Sequence, residues 1–290
     1  MKSVILDSYT VDCGKLSWDG LESISELTVY SRSKASEIVE RIGDCEAVFT
    51  SKCHITKEVI DSYDNIDLKA AKERNIAVCN VPSYSTESVA QHTFALLLEL
   101  CNHVALHNEA SQDGRWTSCP DFCMTLSNMY QLSGKTLGII GYGSIGKRVG
   151  QIAEAFGMKV IPYSQNPQEA VKADVITLHC PATPENKGFI NKEFLNEMKD
   201  GAYIINTARG ALINESDLAE AVKSGKLSGA AVDVVSSEPI SKDNPLLGIE
   251  NLIVTPHMAW TSDEARTTIC NICADNLKAF IKGEKLNRIV

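Results

Sequence analysis

The sequence has no long apolar run, no basic block, no internal repeat and no low-complexity tract. A helix needs about 20 consecutive apolar residues to cross a bilayer, and no such stretch exists. The apolar run in Met1-Lys2-Ser3-Val4-Ile5-Leu6-Asp7 is too short for a secretory signal and reads as a first β-strand. Lysine and arginine number 28 against 37 aspartate and glutamate, a formal net charge of −9. Gripping a phosphate backbone takes a basic surface, so nucleic acid is not an expected partner, and neither is a membrane. The ten cysteines include two close pairs, Cys119/Cys123 and Cys270/Cys273. Neither has a companion His or Cys pair at zinc-site spacing, and no metal is expected. In a chain without a secretory signal such cysteines read as reduced, packed small hydrophobes in a cytoplasmic protein.

What is present is ordinary in composition, with 44% hydrophobic and 22% charged residues, as in soluble globular proteins. At 290 residues the chain exceeds what one core usually organises, which predicts two domains or one large α/β unit. Short β-branched runs at 4–6, 27–30, 47–50, 76–81, 136–140, 159–163, 174–179, 203–206, 230–235 and 252–255 alternate with helical patterns. Such alternation predicts doubly wound parallel sheets with helices on both faces, an α/β fold. A long helix is expected over 85–103 and an amphipathic one over 263–282, folding back across the first domain. Residues 113–133 are polar, aromatic and irregular, and so long a connection is usually functional or an interaction arm.

Two places strain this topology. A parallel crossover needs a strand between the helical patterns at 56–60 and 68–74, and none is legible at 61–67. The connection 164–173 is marginal against the dozen or so residues that a crossover requires.

The run Thr136-Leu137-Gly138-Ile139-Ile140 leads directly into Gly141-Tyr142-Gly143-Ser144-Ile145-Gly146 and then into a helical pattern. A strand before and a helix after make this G-x-G-x-x-G a dinucleotide loop. Gly141 permits the tight turn, Gly143 the approach of backbone to pyrophosphate, and Gly146 the close packing of helix on strand. The N–H groups of the helix start, at Ser144 and Ile145, would meet the phosphates. The following strand ends at Ser164, with neither a carboxylate to repel a 2′-phosphate nor an arginine to receive it. NAD and NADP therefore both remain open as cofactors.

Three later segments each place a reactive side chain just beyond a strand, where open α/β sheets bind ligands. These are Arg209 after Thr207-Ala208, Glu238 after 231–235, and His257 after Thr255-Pro256. Hydride transfer to a 2-oxo acid needs a cation for the carboxylate and carbonyl, which Arg209 supplies in bidentate form. It also needs a proton donor, and His257 in that role is worth roughly 10²–10⁴-fold in rate. Glu238 within hydrogen-bond reach would favour the imidazolium and fix its tautomer. Asp233 could accept from the nicotinamide carboxamide. His92, His103 and His107 read as structural or solvent-facing. His179, followed by Cys180-Pro181, could border the nucleotide without doing chemistry.

On these motifs the chain resembles the D-isomer-specific 2-hydroxyacid dehydrogenases: the glycine loop, Leu178-His179-Cys180-Pro181, Asn206-Thr207-Ala208-Arg209-Gly210, Ala231-Val232-Asp233-Val234 through Glu238-Pro239, and Thr255-Pro256-His257. The resemblance spans nearly the whole chain. Asn80-Val81-Pro82-Ser83-Tyr84-Ser85-Thr86, Gly114-Arg115-Trp116, Asp121-Phe122-Cys123 and His257-Met258-Ala259-Trp260 look most like glycerate dehydrogenases, also called hydroxypyruvate reductases. It implies a flavodoxin-like substrate domain (1–84 and 271–290) and an inserted Rossmann domain (85–270) carrying a dimerisation arm (about 104–133). It further implies a homodimer and a small 2-oxo or 2-hydroxy acid substrate, with hydroxypyruvate or glyoxylate foremost. Arg209 and Trp260 would border that substrate, while Ser164, Cys180, Pro181, Thr207, Ala208, Arg209, Asp233 and His257 would border the cofactor. The chain departs from the family at both strained places, lacking near Ser62 a core strand with its carboxylate-binding loop and near Gln168 a strand on the adenine side. The same scaffold also resembles NAD(H)-sensing corepressors, the alternative function, which retention of Arg209, Glu238 and His257 disfavours.

Overall fold

A computed structural model of the chain describes residues 1–55 and 66–290. The chain divides into two compact units, Met1–Ser85 with Thr261–Val290, and Thr86–Trp260.

The first unit opens with β1 (Lys2–Ile5), α1 (Tyr9–Asp12), α2 (Asp19–Glu22), β2 (Glu26–Val29), α3 (Ile38–Ile42), β3 (Ala47–Phe49) and α4 (Leu68–Glu73). Its strands form a parallel sheet in the order β2-β1-β3. Side chains alternate across β1 with the two-residue period of a strand. Val4 and Leu6 pack with Ile38, Ala70 and Ala71 on one face, while Ile5 packs with Leu21 and Trp18 on the other. Asp7, 1% exposed, gathers the backbone N–H groups of Ser51, Lys52 and Cys53 at 2.9, 2.6 and 2.9 Å, which pins the loop after β3. The segment near Ser62, where the sequence shows no legible strand, falls within 56–65, outside the described residues.

The strand expected at 76–81 does not join the parallel sheet. Cys79 instead forms an antiparallel bridge with Arg288, while the Val78 carbonyl accepts from the Ile289 N–H at 2.7 Å and the Val78 N–H donates to the Val290 carbonyl at 3.4 Å. Val78 is buried, so its apolar character reflects cover by the C-terminus, a pairing that no local pattern encodes.

The second unit runs α5 (Thr86–Asn102), α6 (Val104–Gln112), β4 (Thr136–Ile140), α7 (Ser144–Ala155), β5 (Lys159–Pro162), α8 (Pro167–Val171), β6 (Val175–Leu178), α9 (Lys192–Glu197), β7 (Ala202–Asn206), α10 (Glu215–Lys223), β8 (Leu227–Val232) and β9 (Leu252–Val254). Its six strands are all parallel, in the order β5-β4-β6-β7-β8-β9. Numbered within the unit the order is 2-1-3-4-5-6, a Rossmann-type sheet with two strands instead of three on the β4 side of the switch point. Leu137, Ile139, Val175, Ile205 and Ala231 face α5 and α7, where Ala90, Phe94, Leu97 and Val149 cover them. Ile176, Leu178, Ile204 and Val232 face the opposite way, under Phe194, Leu195 and Leu218 of α9 and α10. The chain leaves β4 for β5 on one side and returns to β6 on the other, so the order reverses between β4 and β6, the place where such sheets bind ligands. The connection near Gln168 contains only the five-residue α8, capped by Asn166, whose side chain accepts from the Glu169 N–H. That short helix suffices to carry the chain across β4.

The final helix, α11 (Asp263–Ile281), is capped by Ser262. The return to the first unit comes at Thr261, ahead of the 271 read from the sequence. The reason is packing: Cys270, Ala274 and Leu277 bury against Ile5, Val11, Trp18 and Leu21, so the whole helix belongs there. Burial pushes the Cys270 and Cys273 thiols up to about 11 and about 12, as suits packed side chains. Among the described residues no helix is long and apolar enough to cross a membrane.

Candidate active site

The dinucleotide loop lies at the carboxyl end of β4. Gly141 has φ +97, and a Cβ on it would sit 2.4 Å from the Cys180 nitrogen. Gly146 presses on the same turn, since a Cβ there would lie 2.1 Å from the Gly141 oxygen. At Gly143, in contrast, a Cβ would meet nothing within 4 Å, so the backbone is open to an approaching group. Gly143 provides no side-chain cap for the 12-residue α7, and the N–H groups at Ser144 and Ile145 face that space with the positive end of the helix dipole. An open backbone at an uncapped helix start fits a pyrophosphate, and the loop residues therefore suit a dinucleotide.

The backbone of His179 and Cys180 lies against Gly141 of this loop. Ser164 follows β5, and Cys180-Pro181 follow β6. Between them His179 donates its backbone N–H to the Ile140 carbonyl at 2.7 Å, while both its ring nitrogens are buried without a hydrogen-bond partner among the described residues. Burial drives the His179 imidazole down to about 3. It is a neutral wall at neutral pH.

At the carboxyl end of β7, Asn206 is fully buried and holds the following turn from both sides. Its Nδ2 donates to the Arg209 carbonyl and its Oδ1 accepts from the Ala208 N–H, each at 2.9 Å. Arg209 is thereby the exposed member of a buried turn, its guanidinium donating to the Ala208 carbonyl at 2.8 Å. Gly210 is what permits the neighbouring strand to approach: a Cβ on it would sit 2.0 Å from the Val235 carbonyl carbon. The segment after β8 therefore lies directly against the arginine turn. Glu215, on the first turn of α10, fixes that segment by accepting from the Ser236 N–H at 2.6 Å and from Asn244 at 2.9 Å.

Glu238 stands on this segment. One carboxylate oxygen accepts from the Val235 N–H at 3.1 Å, and the other meets His257 Nδ1 at 2.6 Å. A carboxylate only accepts, so Nδ1 carries the proton and Nε2 is left to exchange one. The two side chains are 38% and 42% exposed. Ion pairs that open to water contribute at most about 1 kcal/mol to stability, so the contact orients the imidazole more than it holds the fold. His257 itself has φ +52, a conformation kept by its N–H bond to the Asp233 carbonyl at 2.8 Å. Among the described residues no direct bond joins Arg209 to this pair; Gly210 and Val235 make the connection.

Asp233 contrasts with Glu238. It is 1% exposed. Oδ1 accepts from Thr255 Oγ1 at 2.6 Å and the Met258 N–H at 2.9 Å, and Oδ2 accepts from the Ala259 N–H at 2.8 Å. Burial pushes its carboxyl up, but contacts from His92, Thr255 and those two N–H groups outweigh that and hold it below the usual carboxylate range. The Ala259 carbonyl in turn accepts from Ser88 on α5 at 2.6 Å, and half-buried Trp260 ends the unit.

His92 and Glu215 are the contributions that sequence reasoning missed. His92 lies three residues after buried Val89 and four before buried Leu96 on α5, so helical spacing places it on the apolar face. A polar side chain in that phase was the available signal. Glu215 carried none, being one acid among several at a helix start.

The comparisons with known proteins agree with this geometry. Residues 94–259 match the family model described as D-isomer specific 2-hydroxyacid dehydrogenase, NAD binding domain. A hydroxypyruvate reductase of Blautia hydrogenotrophica is 43% identical over 318 aligned positions, covering 99% of each chain. Among solved structures, the TT0316 protein from Thermus thermophilus is 31% identical with a TM-score of 0.86, covering 100% of both chains. An acyclic imino acid reductase in complex with NADPH and D-Arg is 29% identical with a TM-score of 0.85, again over 100% of both. With a family model over more than half its length and a full-length relative at 43% identity, the chain belongs to the D-isomer-specific 2-hydroxyacid dehydrogenase family.

Proposed function

We propose that this chain reduces a small 2-oxo acid to the 2-hydroxy acid, the D isomer where the product is chiral, at the expense of NADH or NADPH, with hydroxypyruvate or glyoxylate as substrate. The observation that carries the reading is the Glu238–His257 contact at 2.6 Å, which leaves Nε2 as the proton-exchanging atom in the unit that carries the dinucleotide loop. A reduced nicotinamide held by these residues would supply the hydride. His257 Nε2 gives a proton to the carbonyl oxygen as negative charge develops there, and Glu238 steadies the ring. Arg209 binds the substrate carboxylate through its planar fork, with Trp260 beside the pocket. Asp233 would accept from the carboxamide of the nicotinamide, with Thr207 and Ala208 at the same end. Gly141, Gly143, Ser144, Ile145 and Gly146 hold the pyrophosphate, and Ser164, Cys180 and Pro181 the adenosine side.

Substrate choice follows the Blautia relative, a hydroxypyruvate reductase at 43% identity. Ser164 neither repels nor grips a 2′-phosphate, so NADH and NADPH both stand as candidate cofactors. The first unit is the substrate domain. The segment 104–133 is the dimerisation arm of a homodimer; Phe122 is 91% exposed there, with Trp116 and Met129 also open to solvent, more apolar surface than a solitary loop keeps. The ten free cysteines suit a reducing cytoplasm. The test is a panel of 2-oxo acids with each reduced cofactor, followed at the nicotinamide absorbance. Turnover of hydroxypyruvate or glyoxylate is expected, and cofactor binding without turnover of any 2-oxo acid would return the corepressor-like reading.

A further inference from the structure

Strand alternation carries one face of the second unit from apolar to polar at its carboxyl edge. Ile205 is followed on that face by Thr207, Ala231 by Asp233, and Ile253 by Thr255. The residues of α5 above them change in step. Thr93 Oγ1 lies 3.0 Å from Thr207 Oγ1. One residue earlier, His92 Nε2 lies 3.2 Å from Thr255 Oγ1 and 3.4 Å from Asp233 Oδ1.

Donor accounting fixes the direction of this chain of contacts. The Thr255 hydroxyl has one proton, and it goes to Asp233 Oδ1 at 2.6 Å. Toward His92 the threonine oxygen can only accept. Nε2 of His92 is therefore the protonated nitrogen, donating toward Thr255 and, at longer range, toward Asp233. With Thr255 and the Met258 N–H on Oδ1 and only the Ala259 N–H on Oδ2, one lone pair of Oδ2 is left for an outside donor. The side chain of His92 is 16% exposed and that of Asp233 1%, so the contact acts in a low-dielectric setting where a polar group has few substitutes.

We propose that His92 is a positioning residue for the nicotinamide end of the cofactor. It touches no reacting atom. It holds the Thr255 hydroxyl on Asp233 and keeps the remaining acceptor of Asp233 aimed for the carboxamide. The same contacts support the backbone that leads to His257, whose N–H bonds to the Asp233 and Thr255 carbonyls at 2.8 and 3.0 Å. The inference rests on the reading of Asp233 as the carboxamide acceptor.

The experiment measures binding, not turnover. Calorimetric affinities for NADH and for ADP-ribose, which lacks the nicotinamide, are compared in the full-length wild-type chain, His92→Leu, His92→Gln and Asp233→Ala. His92→Leu is expected to weaken NADH about tenfold while leaving ADP-ribose unchanged, the size of losing one hydrogen bond to a charged group. His92→Gln, which keeps a donor at similar reach, is expected to restore most of that difference. Equal weakening of both ligands, or none, in His92→Leu overturns the proposal while Asp233→Ala still discriminates between them. Should Asp233→Ala fail to discriminate, the fault lies with the placement of the nicotinamide, and His92 loses its role with it. If His92→Leu does not fold, His92→Asn, too short to reach, takes its place with the same expected outcome.

Discussion

Asp233 and Glu238 are carboxylates five residues apart at the end of one strand, and the fold treats them in opposite ways. Asp233 is 1% exposed, with Thr255 and two backbone N–H groups bonded to it. Glu238 is 38% exposed and is held by the Val235 N–H and His257. A buried carboxylate surrounded by fixed donors cannot move or change charge cheaply, so it can define a position. An open one paired with histidine can follow a proton as it comes and goes. Holding and reacting are thus divided between neighbours on the same segment.

The comparison breaks most visibly at the reacting end. His257→Ala is expected to lower kcat by about 10³-fold while NADH binding, followed by fluorescence, changes little. A similar loss in cofactor affinity and kcat together would mean that His257 holds rather than reacts. Gly210→Ala is next: its Cβ would collide with Val235, displacing the segment that carries Glu238. A shift of about 1 Å at a catalytic contact costs about 10²-fold, so steady-state kinetics should show that loss without a matching fall in melting temperature. Wild-type kinetics in this variant would show that the segment yields without disturbing Glu238. Glu238→Gln leaves the imidazole without its anionic partner, and kcat should fall about 10-fold, less than loss of the proton donor itself. An unchanged kcat would remove Glu238 from the account.

The last effect concerns stability, away from the reacting residues. His179 is buried without partners and driven down to about 3, so the unfolded chain takes up a proton near pH 6.5 that the folded chain refuses. Stability that depends on this neutral imidazole is complete above that pH and falls as the pH drops toward 3, by up to about 1.4 kcal/mol per unit. Denaturant melts between pH 7 and 4 should be flatter for His179→Leu than for the parent chain. Equal slopes would show that the imidazole finds a partner in solution.

Much of this arrangement was legible in the sequence. The strands β4, β6, β7 and β8 are buried on both faces and read as near-continuous apolar runs, and the glycine loop sat between a strand and a helix. Glu238 and His257 were legible because each follows such a strand by a fixed short step. Their contact is what the structure adds. What stayed hidden depended on partners distant in sequence. The stretch 76–81 looks like any other strand, and its pairing with residues near 288 is invisible locally. His92 is an ordinary polar residue on a long helix until Thr255 and Asp233 arrive beneath it. The five-residue α8 shows that the shortest crossover in the sheet is adequate, which a length rule could not anticipate.

The division between a holding and a reacting carboxylate is tested most directly by measuring kcat with hydroxypyruvate and NADH affinity side by side in Glu238→Gln and Asp233→Ala. The account predicts that Glu238→Gln loses kcat and keeps NADH affinity, while Asp233→Ala loses NADH affinity. Loss of NADH affinity in Glu238→Gln, or its full retention in Asp233→Ala, would contradict it.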